Sequence, residues 1–407
     1  MVKLLKISFR NVFRNKRRTL ITIAGIVIGS SFLAIFGGFV EYVFWGMKES
    51  TIHSGLGHIQ VYKKDYLQSE PTSFRYSLNR NEVEMIEKIA RRNGAIEIVT
   101  PRINFSGIVG NQEISTIFNG TGGIAENEQQ IDLFSNIEGK ELTINDEYGI
   151  LIGRELSKKL TTQIGDSLIL MSSCDDGSLN AIHVNVRGIL STGIRQIDNV
   201  VLKANLQVVK ELQYTDDVHS IVMLLRDTEY TNRVSKFLHE EFEKNNLDVV
   251  VKTWEDLAET YHQVVNLYKA SFNVVTIIIL LIVIFSIANT LYMSVMERVR
   301  EIGTFMAIGS PKAIIIRLFL LEGVVIGTVG TGLGIFIAFM ASKLINSLYI
   351  MMPPPPGATE GYPLSIFVNF LLAVKVIALN IVTSFLASLY PALKASKLKI
   401  VDALRYV

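Results

Sequence analysis

The run Thr19–Val40 (TLITIAGIVIGSSFLAIFGGFV) contains no charged side chain, and neither does Ala270–Met296. Two more long apolar runs follow: Leu318–Ser342, with Glu322 near its start, and Leu364–Pro391, which contains Lys375. A bilayer core is crossed by about 20 mostly apolar residues, so each of the four is long enough to span. The stretch between the first and second run has ordinary globular composition. With 49% hydrophobic and 19% charged residues, the chain is too apolar for an ordinary soluble enzyme. It is too charged to lie wholly in lipid. Its aromatic and β-branched content excludes disorder, and its single cysteine, Cys174, excludes an intrachain disulfide.

The net charge of +2 becomes informative once it is sorted by segment. Lys3, Lys6, Arg10, Arg14, Lys16, Arg17 and Arg18 precede the first run with no acid among them. Arg298, Arg300, Lys312 and Arg317 lie between the second and third runs, and Lys394, Lys397, Lys399 and Arg405 follow the fourth. The connection from the third to the fourth carries only Lys343. By the positive-inside rule, both termini and the middle loop face the cytoplasm, and the large domain faces outward. Tyr42, Trp45, Trp254 and Tyr261 are expected at the outer interface. The first run is longer than the core of a signal peptide and no small-residue cleavage site follows it, so it reads as an uncleaved anchor.

These signals divide the chain. Residues 1–18 form a cytoplasmic amphipathic helix, with Leu4, Leu5, Phe9, Val12 and Phe13 on one face and Lys3, Lys6, Arg10 and Arg14 on the other. Residues 19–47 are the first span and a stalk, and 48–253 the outer domain. Residues 254–296 are a stalk and the second span, and 297–317 a cytoplasmic loop. Residues 318–342 are the third span, 343–363 a proline-rich outer loop, 364–391 the fourth span and 392–407 a cytoplasmic tail. Within the loop, Glu297, Arg300 and Glu301 share one helical face at i, i+3 and i, i+4. Gly309-Ser310-Pro311 then breaks the helix. A charged helix across the ends of two spans is a natural lever for a motor protein; an ordinary solvated turn is the alternative.

The outer domain reads as α+β. His58–Tyr62, Glu97–Ile103, Ile114–Asn119, Ser220–Leu225 and Asp248–Lys252 read as strands. Asn81–Asn93 reads as a helix with Asn81 and Glu84 at capping-box spacing, and Thr228–Asn245 as another. An inserted β-rich lobe is expected at about 125–192, with short strands at Ile150–Ile152, Ser167–Ser172 and His183–Gly188. Thr253 and Asp256 give a capping signature before the second span. A helix continuous from Trp254 to Met296 would be about 64 Å long, more than the bilayer core, so part of it would project as a stalk. Leu257, Tyr261, Val264, Val265 and Tyr268 form an apolar stripe on it, expected to pack near Val43–Met47.

The segment Met293–Lys312 (MSVMERVREIGTFMAIGSPK) closely resembles the loop after the second span in ABC transporter permeases of the MacB/LolC/LolE/FtsX superfamily. Phe9–Thr19 is similar to that family's entry helix. Glu322-Gly323 with Gly327, Gly330 and Gly334 is similar to its third span, and Tyr390–Lys397 with Ala403-Leu404-Arg405 to its ending. The resemblance runs along essentially the whole chain. It implies a membrane α-helical fold of four transmembrane helices plus a large α+β extracytoplasmic domain, a porter-like lobe with an inserted β-rich lobe, between helices 1 and 2. It implies further that the middle loop is a coupling helix on a nucleotide-binding subunit, with Glu297, Arg298, Arg300, Glu301, Gly303, Ala307 and Gly309 at the contact. Gly303 would permit close backbone approach and the charges would fix register. Lipoprotein-releasing relatives carry in one permease type a proline-bearing hairpin that hooks a periplasmic carrier. The corresponding segment, Met171–Val184, has no proline.

No G-x-x-x-x-G-K-[ST] occurs; Gly120-Thr121-Gly122-Gly123 lacks the Lys that would follow. ATP and Mg are therefore expected on a separate ATPase, with no cofactor on this chain. No catalytic or metal constellation is legible. The six histidines are scattered through the outer domain and Cys174 falls at a hairpin tip. Gly25-x-x-x-Gly29 and Gly323-x-x-x-Gly327 are expected to permit close helix packing, within one permease or between two. Glu322 and Lys375 are the intramembrane charges. Lys375 pairs in the bundle, with lipid phosphate or Glu322, or snorkels. Pro353–Pro356 reads as a stiff spacer.

The leading expectation is a permease of the bacterial inner membrane that extracts lipoprotein or lipid by mechanotransmission. Two separate ABC ATPase subunits would drive it. Its further partners would be a second permease copy or paralogue, membrane lipid, and a periplasmic carrier or adaptor, with no nucleic acid. The alternatives are MacB-like efflux, or FtsX-like regulation of a cell-wall hydrolase.

Overall fold

The computed structural model describes residues 8–11, 14, 16–174, 177–353 and 361–404. Of the expected amphipathic helix, residues 8–11 are described and helical. Lys3, Leu4, Leu5, Lys6, Val12 and Phe13 lie outside the described residues, as do Pro354–Pro356 and Arg405.

In chain order, α1 (Lys16–His53) is followed by β1 (Ile59–Lys63), α2 (Arg80–Ala90), β2 (Ile96–Gly110), β3 (Ser115–Gly123), α3 (Ala125–Ile131), β4 (Asn136–Gly139) and β5 (Gly149–Gly153). Then come α4 (Arg154–Leu160), β6 (Ser167–Ser173), β7 (Leu179–Ser191), α5 (Arg195–Asp198), β8 (Val201–Asn205), α6 (Leu206–Gln213), β9 (Ser220–Leu225), α7 (Thr231–Lys244), β10 (Val249–Thr253) and α8 (Trp254–Leu257). The chain ends with α9 (Glu259–Glu297), α10 (Val299–Ala307), α11 (Lys312–Ser347), β11 (Met351–Met352), β12 (Tyr362–Pro363), α12 (Phe370–Ser396) and α13 (Ile400–Leu404). Two compact units result: residues 1–45, 264–352 and 363–407, and residues 46–263 with 353–362.

The first unit is helical. Among the described residues, α1, α9, α11 and α12 are the four helices long and apolar enough to cross a membrane. Their shared core contains Ile23, Ile26, Val283, Ile287, Leu291 and Ile326. Their outer faces leave Ile21, Ile28, Phe285, Phe336 and Phe370 exposed, as a lipid-facing surface requires. Small residues set the close approaches, all within this chain. A Cβ on Gly323 would meet Ser388, and one on Gly327 would meet Ser384, both on α12. Gly330 and Gly334 lie against Ile26 and Ser30 of α1. Gly25 and Gly29 face Ser286 and Ile279 of α9. Phe44 meets Tyr268 edge-on at 6.3 Å, which places part of the apolar stripe on α9 against α1. Lys375 does not pair with Glu322. It is exposed, and its charge acts on Glu41, which also accepts a hydrogen bond from Asn369.

The second unit has two lobes. In the first, β10-β1-β9-β2 form an antiparallel sheet. Ile86 and Ile89 of α2 and Val234, Leu238 and Phe242 of α7 pack into its core. Sequence order β-α-β-β-α-β with this spatial order is the ferredoxin-like arrangement. Helix α2 starts two residues earlier than its spacing signal: Asn79 and Glu82 form the capping box, in place of Asn81 and Glu84. The equivalent Thr253–Asp256 box does cap α8. The second lobe closes on itself, because β2 pairs β3, β3 pairs β8, β8 pairs β5, β5 pairs β7, β7 pairs β6, and β6 returns to β2. It therefore reaches beyond 125–192. The 15-residue β2 belongs to both sheets, pairing β9 through its first half and β3 and β6 through its second.

Two expectations for this unit are corrected. Trp254 is not an interface residue; it is buried among Ile52, Ile98, Ile131 and Val222. The helix from Trp254 is not continuous, because Ala258 (φ −91°, ψ 63°) separates α8 from α9. Cys174 sits in the turn between β6 and β7 as expected, but it is buried, with Sγ 3.5 Å from the Leu212 carbonyl oxygen. At the exit of α1, Arg102 holds Glu128 in a fork of hydrogen bonds (3.1, 3.0 and 2.7 Å) and donates to the Gly55 carbonyl. Such a bidentate pair fixes both partners more strictly than one contact would.

Candidate functional site

Most of the residues singled out for coupling converge at the end of the helical unit where α9 stops. Helix α9 ends at Glu297, Arg298 leaves the helical conformation (φ −117°, ψ 16°), and α10 begins at Val299. At the far end Gly309 takes φ +90°, a value that favours glycine, and its N–H donates to the Met306 carbonyl at 3.1 Å. Pro311 then precedes α11, where the missing N–H of proline costs nothing.

Helix α10 has two apolar faces. Val299, Ile302, Gly303 and Met306 point inward, where Ile302 and Met306 join Val295, Ile315, Phe319, Ala392 and Ala395 in one cluster. Gly303 is needed there because α13 lies close: a Cβ would stand 2.8 Å from the Cβ of Ala403. The opposite face exposes Arg300, Thr304, Phe305 (53% exposed) and Ala307, and just past the helix end Ile308 (77%) and Gly309 are exposed too. A short helix that is apolar on both sides leaves one side without a partner among the described residues.

Charges order the base of the helix. Arg18 of α1 donates to Glu297 at 2.8 and 3.3 Å. Arg14 donates to Glu301 at 2.8 Å, and Arg298 Nε to the other Glu301 oxygen at 3.1 Å. Burial raises the Glu301 carboxyl pKa, but hydrogen bonds from Arg14 and Arg298 and their positive charges outweigh it and hold the group below the usual carboxylate range. Arg298 is 8% exposed and Glu322 2% exposed; Arg298 Nη1 donates to Glu322 Oε1 at 3.0 Å, and Asn11 donates to the same oxygen at 2.8 Å. A cleft of about 300 Å³ opens beside them, lined by Arg18, Thr290, Ser294, Glu297, Arg298 and Glu322.

The structure thus gathers Glu297, Arg298, Glu301 and Glu322 and leaves Arg300, Ala307 and Gly309 on the surface. Arg298 and Gly303 do not face outward: one is spent on Glu322, the other on α13. Nor is the expected Glu297, Arg300 and Glu301 face paired within itself: Arg300 is exposed, Glu297 takes Arg18, and Glu301 takes Arg14 and Arg298. Gly25, Gly29, Gly323, Gly327 and Lys375 lie elsewhere in the bundle. Phe305 and Ile308 were not singled out from the sequence. Their signal was an apolar pair at i, i+3 on a helix already apolar at Val299, Ile302 and Met306. In the outer unit, Gly120–Gly123 lie inside β3, where their backbone is paired with β2 and β8 rather than arranged as a phosphate cradle.

The family described as MacB-like periplasmic core domain matches residues 19–240, more than half of the chain, and the one described as FtsX-like permease C-terminal matches residues 273–400. The lipoprotein-releasing system transmembrane protein LolC of Xylella fastidiosa (strain 9a5c) is 24% identical over 64% of this chain and 65% of its own, so the chain spans just under two thirds of that relative's length. The LolC protein of Neisseria meningitidis serogroup B (strain ATCC BAA-335 / MC58) is 22% identical over 95% of this chain and 94% of its own. The crystal structure of the periplasmic region of MacB from Actinobacillus actinomycetemcomitans is 15% identical, with a TM-score of 0.39, and covers 52% of this chain and 94% of that one. With a MacB-type core between residues 19 and 240 and an FtsX-type C-terminal region after it, the chain belongs to the LolC/MacB/FtsX type of ABC transporter permeases.

Proposed function

We propose that this chain is the membrane subunit of a transporter powered by separate ATP-hydrolysing subunits, and that α10 is where they dock. The exposed pair Phe305 and Ile308 carries the reading: two large apolar side chains stand free on a helix whose other face is already packed. Apolar anchors of this kind, ringed by polar groups such as Arg300 and Thr304, are what a protein partner buries. The excess of Lys and Arg at this end of the spans favours the cytoplasmic side of a bacterial inner membrane, where Mg-ATP is available to the partner.

The cargo is lipoprotein or lipid taken from the membrane, and the outer unit changes conformation around it. The relatives that carry the name of a lipoprotein-releasing system support this reading. MacB-like efflux is the second reading, favoured by the match of residues 19–240 to the MacB core.

Purification of the full chain with its ABC ATPase partner tests both levels. Phe305→Glu with Ile308→Glu is expected to weaken co-purification of the ATPase at least tenfold while the chain itself stays folded. Unchanged association would refute the docking surface. Mass spectrometry of the purified complex is expected to find acylated protein or phospholipid. An adaptor and an outer-membrane channel in their place would favour efflux.

A further inference from the structure

Arg298 is the only residue between α9 and α10, and it is not helical. A one-residue interruption at the end of a long helix is a joint. A push on α10 would be absorbed there by backbone rotation unless something braces it. Side chains provide the brace. Arg298 reaches Glu322 on α11 at 3.0 Å, holds Glu301 on α10 at 3.1 Å, and lies over the ring of Phe319 with its guanidinium carbon 5.7 Å from the centroid. Asn11 and Arg14, three residues apart, close the arrangement from the other side: Asn11 on Glu322 at 2.8 Å and Arg14 on Glu301 at 2.8 Å.

This is a costly choice of residues. A buried ion pair gains little over an apolar pair of the same volume, because both charges must leave water. Removing one partner, by contrast, strands the other. A buried charge of this kind can fix register, the best-attested use of such groups. Here the register is that of α10 against α11. Both Arg298 and Glu322 make more than one hydrogen bond, so the geometry is directional and not merely attractive.

We propose that Glu322, Arg298 and Asn11 form a lock that makes α10 and α11 one rigid body, so that displacement of α10 moves the third spanning helix instead of flexing the α9–α10 joint. The functional value of the lock rests on α10 being the docking helix; its existence does not. Arg298 is a positioning residue, and its effect is on stiffness.

The test uses the full chain alone in nanodiscs, without any ATPase, so its outcome is independent of the docking experiment. With Cys174→Ala as background, spin labels are placed at Thr304→Cys on α10 and Ile337→Cys on α11, both exposed. Pulsed electron–electron resonance reads the width of the distance distribution. A single narrow distribution is expected with the lock intact, and one at least twice as wide in Arg298→Met or Glu322→Gln. The double variant Arg298→Met, Glu322→Leu removes the stranded charge as well. It is expected to melt no lower than the parent and still to give the wide distribution, which a merely stabilising pair would not. If either single variant fails to fold, the double variant decides. A double variant as narrow as the parent, or single variants indistinguishable from it, would overturn the proposal.

Discussion

Gly303 of α10 packs directly on Ala403 of α13: a Cβ added to the glycine would stand 2.8 Å from the alanine Cβ, closer than such atoms approach. The contact ties α13 to α10. Gly303→Ala is therefore expected to push α13 away despite the better helix propensity of alanine, at a cost of about 1–3 kcal/mol for overpacking. Faster amide exchange at Ile400–Leu404 would report the displacement. Ala403→Gly in the same chain should restore protection, because the two changes share one contact and are not additive. Protection that is unchanged in Gly303→Ala would show that the approach is looser than it looks.

Glycines in the spans divide in the same way. A Cβ on Gly327 would lie 1.9 Å from Ser384 Oγ and 2.6 Å from Ser384 Cβ, whereas one on Gly25 would be 3.7 Å from Ser286 Oγ, an ordinary contact. Gly327→Ala is expected to lower the melting temperature in detergent, with a loss of about 1–3 kcal/mol. Gly25→Ala should be neutral or stabilising by up to about 1 kcal/mol, since it removes only backbone freedom. Equal effects of the two substitutions would contradict this difference in packing.

What could be read from the residues, and what could not, follows from the range of each signal. Charge-free runs such as Thr19–Val40 are local and long, so the spans were legible. Alternation and capping signals placed most strands of the outer domain, but they misplaced the start of α2. Asn81 with Glu84 and Asn79 with Glu82 carry the same spacing, and only tertiary packing chooses between them. The sharing of β2 between two sheets is a non-local pairing, and nothing in Ile96–Gly110 announces it. At the site the family resemblance located the loop, whereas the direction of each side chain did not follow. The resemblance implied that Arg298 faces a partner. The side chain turns inward because Glu322, 24 residues on, offers a buried acceptor.

Acid should loosen the outer unit through two buried histidines. His58 Nδ1 accepts the Leu225 N–H at 3.1 Å while Nε2 lies 3.1 Å from Thr228 Oγ1, and His219 Nδ1 accepts the Asn104 N–H at 3.0 Å. Both rings must be neutral to accept. Burial lowers both pKa values from 6.5 to about 4. For His58 the positive charges of His53 and Lys48 add to the effect and Asp227 opposes it; for His219 the backbone carbonyl of Ser73, an acceptor for the ring N–H, opposes it. Between pH 6.5 and pH 4 the unfolded chain therefore binds more protons than the folded one, and stability must fall as pH falls through that window. The slope is at most about 1.4 kcal/mol per pH unit for each histidine. Above pH 6.5 both states are neutral at these sites and the contribution is flat. Chemical denaturation followed by the fluorescence of the buried Trp254, in a Trp45→Phe background, would measure the slope. His58→Gln keeps an acceptor for Leu225 but cannot titrate, so it should flatten the curve between pH 6.5 and pH 4 relative to the parent. Carboxylates also titrate near the lower limit, which is why the difference between parent and variant is the quantity to compare. Parallel curves across the window would mean that His58 is already charged in the folded chain.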